Sequence, residues 1–145
     1  MTRLLPMSII AVLWSAPLTA APGQLPPVVQ DGLKALRDNG AAAAVEFWTK
    51  SWTGPADSGK REQLQQGLGN LATYTGSLRD WDVLRTIEVT PHVKRYYLVL
   101  VFQRQPVYAL FVVYRPEQDW IVTGVYFNTE ASKVFPSSIL EPERP

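Results

Sequence analysis

The chain has 145 residues, and its 14 lysines and arginines almost balance 13 aspartates and glutamates, which gives a formal net charge of +1. This balance excludes a nucleic-acid binder that relies on a broad basic surface. A hydrophobic fraction of 46% with 19% charged residues excludes a wholly disordered chain. Because the chain has no cysteine, disulfides, thiolate metal sites and cysteine nucleophiles are excluded as well. The length suits one domain.

The first 21 residues have the three parts of a secretory signal peptide. Arg3 is followed by an apolar run over residues 4–14 and by small residues over 15–21. A membrane anchor is the alternative, but a span needs about 20 apolar residues and prolines interrupt this run. We therefore expect cleavage of residues 1–21, a periplasmic or secreted protein, and no stable membrane insertion afterwards.

After a proline-rich, extended linker over residues 22–27, apolar spacings of three and four predict three helices. An Asp-Asn-Gly stop separates the first two helices, and a Gly-Pro loop separates the second from the third. The predicted helices are Val28–Arg37, Ala41–Trp52 and Ser58–Thr75.

From Trp81 onward the apolar period changes to two, which predicts four strands joined by short turns and therefore antiparallel. The two middle strands are apolar on both faces, so the helices shield one face and something else must cover the other. We expect a homodimer with its sheets face to face; a tail folded back after Asn128 and strong curvature are the alternatives. The predicted strands are Trp81–Val89, Val93–Gln103, Val107–Arg115 and Asp119–Phe127.

Three sequence segments near the end carry a resemblance to a known family. They are Phe111-Val112-Val113-Tyr114-Arg115-Pro116, then Trp120-Ile121-Val122, then Val125-Tyr126-Phe127-Asn128. With the order of helices and strands, they resemble small secreted members of the nuclear-transport-factor-2-like superfamily, the cystatin-like roll. The resemblance implies an α+β fold in which three N-terminal helices pack on a curved four-stranded antiparallel sheet, a cone-like roll. It covers residues 28–135 and leaves 136–145 as a C-terminal tail. The loop over residues 54–59 is too short for the hairpin that many members insert there.

The resemblance also implies a conical cavity between the helices and the concave sheet. Five aromatic residues are candidates for the lining of a site for a small apolar ligand, since such sites favour aromatic walls with a few polar tips. The alternative is a filled core made of the same side chains. The candidates are Trp48, Tyr74, Tyr96, Phe111 and Tyr126.

Two residues are weak candidates for catalysis. Glu88 lies in an otherwise apolar strand, where burial in a pocket would raise the pKa of its carboxyl and suit it to proton transfer. His92 is the single histidine and follows Pro91. The alternatives are a solvent-facing charge that protects a sheet edge, for Glu88, and an exposed turn residue, for His92.

No cofactor or metal site is predicted. One histidine and no cysteine cannot form a histidine or thiolate cluster. The stretch Gly54–Lys60 resembles the start of a phosphate-binding loop, but Arg61 stands where serine or threonine is required and the preceding segment is helical.

Three classes of function follow from these observations. The first is an exported, non-catalytic roll domain that binds a small apolar ligand or a protein partner. The second is a cone-pocket enzyme of the isomerase or dehydratase type with a carboxylate and tyrosine pair, as ketosteroid isomerases and scytalone dehydratase resemble this fold. The third is a structural assembly subunit. A cavity lined by Glu88 or His92 favours the enzyme, and a filled cone favours assembly.

Overall fold

The computed structural model describes residues 24–141, and the predicted signal peptide, residues 1–21, lies outside the described residues. Three helices precede one four-stranded antiparallel sheet, which confirms the predicted α+β class. In chain order the elements are α1 (Pro27–Asn39), α2 (Ala41–Trp48), α3 (Asp57–Thr75), β1 (Leu78–Thr90), β2 (Val93–Phe102), β3 (Pro106–Tyr114), β4 (Ile121–Asn128), a 3₁₀ turn (Ala131–Lys133) and α4 (Ser137–Leu140).

Proline and glycine set the two ends of α1. Pro27 lies in the first turn, where its missing N–H costs no hydrogen bond. Gly40 ends the helix at a φ of 95°, a left-handed conformation that glycine adopts without steric cost. Its N–H lies 3.1 Å from the carbonyl oxygen of Ala35 and 3.2 Å from that of Leu36. Because α2 begins at the next residue, this glycine sets the angle between the two helices.

The second helix ends at Trp48, whereas the sequence predicts that it continues to Trp52. The side chain of Arg61, on α3, donates hydrogen bonds to the carbonyl oxygens of Thr49 (3.3 Å) and Trp52 (2.7 Å). A cation at this position stabilises a helix C-terminus, and its two hydrogen bonds hold the turn that follows the helix. The chain therefore leaves the helix early, and Trp52 reaches the sheet.

The strands pair in the order β1-β2-β3-β4, with every pair antiparallel. The predicted period of two is confirmed in both middle strands, where one side chain set is buried and faces the helices. The main core lies between this inner face and the three helices. Its sheet residues include Tyr96, Leu98, Leu100, Phe102, Val107, Ala109, Phe111 and Val113.

The C-terminal segment covers the centre of the opposite, outer face of the sheet. The ring of Phe135 lies between those of Tyr97 and Tyr108, with ring centroids 5.5 Å apart in each pair. Ile139, which falls in the predicted tail, is 6% exposed and packs in the same cluster. The tail folded back over the sheet is one of the two alternatives to a dimer that the sequence left open.

The C-terminal segment covers part of the apolar sheet surface that the predicted homodimer buries. Tyr97 is buried and Leu110 is half-buried beside the C-terminal segment. Val101 and Tyr114 remain exposed nearer the ends of their strands, at 38% and 40%. The face-to-face homodimer stays a prediction, with a smaller apolar surface to bury than the sequence suggests.

Candidate functional site

The five predicted lining residues do not share one wall. Trp48, Tyr96 and Phe111 are buried in the core, and the rings of Trp48 and Phe111 meet edge to face with centroids 4.9 Å apart. Tyr74 is 73% exposed on α3, and Tyr126 is 58% exposed on β4. The three buried residues therefore pack in the core. Trp48 also lines one end of the surface groove described below, and of the two exposed tyrosines only Tyr126 lines that groove.

The structure brings Glu88 near Tyr96, the pair that the enzyme alternative requires. Burial raises the pKa of the Tyr96 hydroxyl, and the charge of Glu88 raises it further. A phenol with a raised pKa is a poorer acid at neutral pH. Glu88 itself is exposed, and neither residue lines the grooves described below.

Thr86 is a polar residue of this region that the sequence analysis did not select. It pairs with Tyr96 across β1 and β2. Its hydroxyl oxygen is buried and has no hydrogen-bond partner among the described residues. Such an atom costs stability, and Thr86 does not line the grooves described below.

His92 is an exposed turn residue that joins two loops. Its Nδ1 lies 2.9 Å from the carbonyl oxygen of Arg115, and since a carbonyl only accepts, Nδ1 carries the proton in this bond. The Arg115 N–H returns a bond of 2.8 Å to the His92 carbonyl oxygen. These contacts hold the β1–β2 turn against the end of β3, which is a structural role.

Three neighbouring surface grooves with shared lining residues follow β4, and together we call them the β4 groove. It consists of three overlapping stretches with volumes of about 310, 230 and 530 Å³. The first and second share Ser51, Ile121 and Val122, and the second and third share Trp52, Lys60 and Thr123. One wall is the strand from residue 120 to residue 128. The other wall comes from the end of α2, the loop after it, and α3.

Two aromatic side chains fix the shape of the β4 groove. The indole nitrogen of Trp52 donates a hydrogen bond of 2.7 Å to the carbonyl oxygen of Val122, which ties the loop to the strand. At the groove's beginning, the ring of Trp120 contacts two cations. Lys94 lies 5.2 Å and Arg115 lies 4.9 Å from the ring centroid. Cation–π contacts of this kind hold the indole in place.

The two edges of the sheet differ in charge. β1 carries five charged residues and three register irregularities, which are features that protect an edge against pairing with another strand. β4, with the sequence IVTGVYFN, carries no charge and has one irregularity. Apart from the bond from Trp52 to Val122, nothing in residues 24–141 pairs with the outer backbone edge of β4. The β4 groove therefore lies beside an unprotected edge strand.

The sequence analysis did not single out Trp52 or the β4 edge. The difference in charge between the first and last strands was readable from the sequence, and it is the signal that identifies β4 as the open edge. The loop that forms the other wall was not readable, because a contact between Arg61 and the end of α2 shapes it.

No protein-family model matches the chain, and neither curated proteins nor solved structures give a match. Within residues 24–141, no helix combines the length and apolar character that crossing a membrane requires. The same residues contain no group of three or more histidine, aspartate or glutamate side chains arranged for a metal ion. The fold and the β4 groove thus define a class: an α+β roll with an open, uncharged sheet edge beside a groove.

Proposed function

We propose that this chain is an exported, non-catalytic roll domain that binds a protein partner, and that an extended segment of the partner adds to β4 in the β4 groove. One observation carries the proposal: β4 is an uncharged edge strand with a groove along its whole length. In strand addition, main-chain hydrogen bonds give affinity and neighbouring pockets select side chains. Export is supported by the signal-peptide pattern over residues 1–21.

The shape of the groove favours a polypeptide over a small apolar ligand. Eight residues of β4 at about 3.3 Å each give a channel more than 20 Å long. Exposed residues such as Lys60, Thr123 and Tyr126 line it, so it is open to solvent. A small apolar ligand is better held by a concave pocket that encloses most of its surface, and the core residues Trp48, Tyr96 and Phe111 fill the interior instead.

The placement of the catalytic candidates supports a non-catalytic role. Glu88 is exposed, and His92 is held between two turns by backbone contacts. Tyr96 is buried outside the described grooves. The order of three helices and four antiparallel strands also supports the likeness to the nuclear-transport-factor-2-like superfamily, which remains part of the proposal and rests on sequence pattern and element order.

Peptide binding with two matched tyrosine variants tests the proposal. A display library of random peptides about twelve residues long, enough to span β4, is panned against the purified full chain. The affinity of enriched peptides is then measured by fluorescence anisotropy. Tyr126→Ala removes a groove-lining ring and is expected to weaken binding about tenfold, the effect of losing an interface tyrosine.

The control is Tyr74→Ala, which removes another exposed tyrosine, on α3, that lies outside the lining of the β4 groove. It is expected to leave peptide affinity unchanged. Thermal melts of both variants check that the fold is intact. A library that yields no binder, or enriched peptides that bind Tyr126→Ala as tightly as the wild type, contradicts the proposal.

A further inference from the structure

Lysines are spread along the β4 groove from one end to the other. Lys50 lines the first stretch beside Phe47, Lys60 lines both the second and the third, and Lys133 lines the far end. All three are exposed. The only acidic side chain in the lining of the three stretches is Asp57. The groove is therefore an apolar channel with positive charge at its rim.

The one carboxylate in this lining is engaged by its own loop. Asp57 accepts a hydrogen bond of 2.6 Å from the N–H of Gly54, and its other oxygen lies 3.6 Å from the Lys60 ammonium. The Asp57 side chain is 22% exposed, whereas that of Lys60 is 64% exposed. Lys60 therefore remains accessible to a ligand on its solvent side.

The other two lysines have no such partner. Within the described part of the chain, neither Lys50 nor Lys133 forms an ion pair. Opposite charges across an interface steer association and select partners, and like charges disfavour the wrong ones. A segment in the groove thus meets uncompensated positive charge at both ends of its path.

We infer that the segment that docks in the β4 groove is acidic, with carboxylates alternating with apolar residues. This inference rests on the proposed function. Because successive side chains of a strand point to opposite sides, alternate residues of the segment face the apolar wall formed by Trp52, Leu64 and Val125. The residues between them reach the rim, where the lysines lie. Charge thereby selects the partner. The backbone hydrogen bonds of the β4 edge contribute affinity that does not depend on the sequence of the segment.

Two designed peptides test the inference with the full chain. One is a ten-residue peptide of alternating valine and glutamate with neutral ends, and the other replaces each glutamate with lysine. At low salt, the glutamate peptide is expected to bind about tenfold more tightly than the lysine peptide, since several exposed ion pairs each contribute little. Raising the salt concentration is expected to reduce the difference because exposed charges are screened.

Charge-reversal variants test whether the lysines of the β4 groove cause the preference for the glutamate peptide. The double variant Lys60→Glu with Lys133→Glu is expected to lose the preference for the glutamate peptide. Lys34→Glu, which reverses an exposed lysine on α1 outside the lining of the β4 groove, is the control for a charge reversal elsewhere on the surface and keeps the preference. Thermal melts of both proteins verify folding.

The outcomes separate this inference from the proposed function. Three results overturn the inference that the segment is acidic and leave docking at the β4 edge intact. They are equal binding of both peptides, tighter binding of the lysine peptide, and a preference that only Lys34→Glu removes. Failure of both peptides and of the display library contradicts the proposed function as well. A chain that light scattering shows to be dimeric, with peptides binding only as the dimer dissociates, makes a second copy the occupant and overturns the inference.

Discussion

Tyr96 is the residue whose environment has the clearest consequence for stability. It is 4% exposed on the inner face of β2, and burial together with the charge of Glu88 raises the pKa of its hydroxyl above the usual value near 10. The folded protein therefore keeps a proton that the unfolded chain releases above pH 10. The stability associated with this proton is fully present below the unfolded pKa and is lost as the pH rises through the folded pKa.

Because of this raised pKa, we expect the free energy of unfolding to fall less for Tyr96→Phe than for the wild type as the pH rises from about 9 to about 11. The measurement is the free energy of unfolding by urea at several pH values in that range. All other residues are the same in the two proteins, so the difference between the two curves isolates Tyr96. Glu88→Gln removes one cause of the raised pKa of Tyr96. It is therefore expected to reduce the difference in pH dependence between proteins with Tyr96 and with Tyr96→Phe. Parallel curves for wild type and Tyr96→Phe would show that the hydroxyl ionises freely in the folded state.

The position of Trp52 outside the second helix could not be predicted from the local sequence. Its distance of four residues from Trp48 fits the period of a helix, and the predicted helix Ala41–Trp52 contains both residues. The structure ends the helix between them because Arg61 supplies hydrogen bonds to carbonyl groups there. That contact comes from another helix, so the local pattern contains no sign of it. The indole that closes onto Val122 is therefore a product of tertiary structure.

At the scale of elements, the C-terminal segment acts as the cover of the outer face. Ile139 is 6% exposed, while the next residue, Leu140, is 44% exposed. Ile139→Ala is expected to lower the free energy of unfolding by about 2 kcal/mol, since it deletes buried methyl groups from the cluster around Tyr97 and Phe135. Leu140→Ala is expected to change it by less than about 0.5 kcal/mol. Chemical denaturation of both variants makes the comparison.

Equal, small effects of the two substitutions would mean that the C-terminal segment does not hold the outer face in solution. In that case the apolar residues of the middle strands would again need another cover, and the face-to-face homodimer would regain its full surface. The pair is well matched, because the two side chains are adjacent in α4 and differ mainly in burial.

The sequence predicted the two faces of the middle strands but not what covers the outer one. A period of two separates the sides of a strand, and the side containing Tyr96 and Leu98 is the buried one. Nothing in that pattern distinguishes a second copy from a folded tail, because both bury apolar side chains equally well. The candidate site shows the same limit. The low charge of the last strand was visible, since Asp119 is the one charged residue within its predicted bounds, whereas the opposite wall of its groove depends on long-range packing.

At the scale of the whole molecule, the core and the edges of the sheet differ in what they contribute. Large apolar side chains from the helices and the inner sheet face pack together in the interior. The recognition surface that we propose is the edge, where β4 lies beside Trp52 and α3. β1, at the opposite edge, carries charges that discourage pairing. Under the proposed function, a partner strand therefore pairs with the β4 edge and not with the β1 edge.

Hydrogen exchange of the full chain, with and without a peptide enriched by the display library, tests this claim most directly. Backbone amides on the outer side of an edge strand exchange readily until another strand pairs with them. We expect the peptide to slow the exchange of some amides in residues 121–128 at least about tenfold, and to leave those of β1 unchanged. Unchanged exchange in β4 while the peptide is bound, or protection confined to β1 or the helices, would contradict strand addition at this edge.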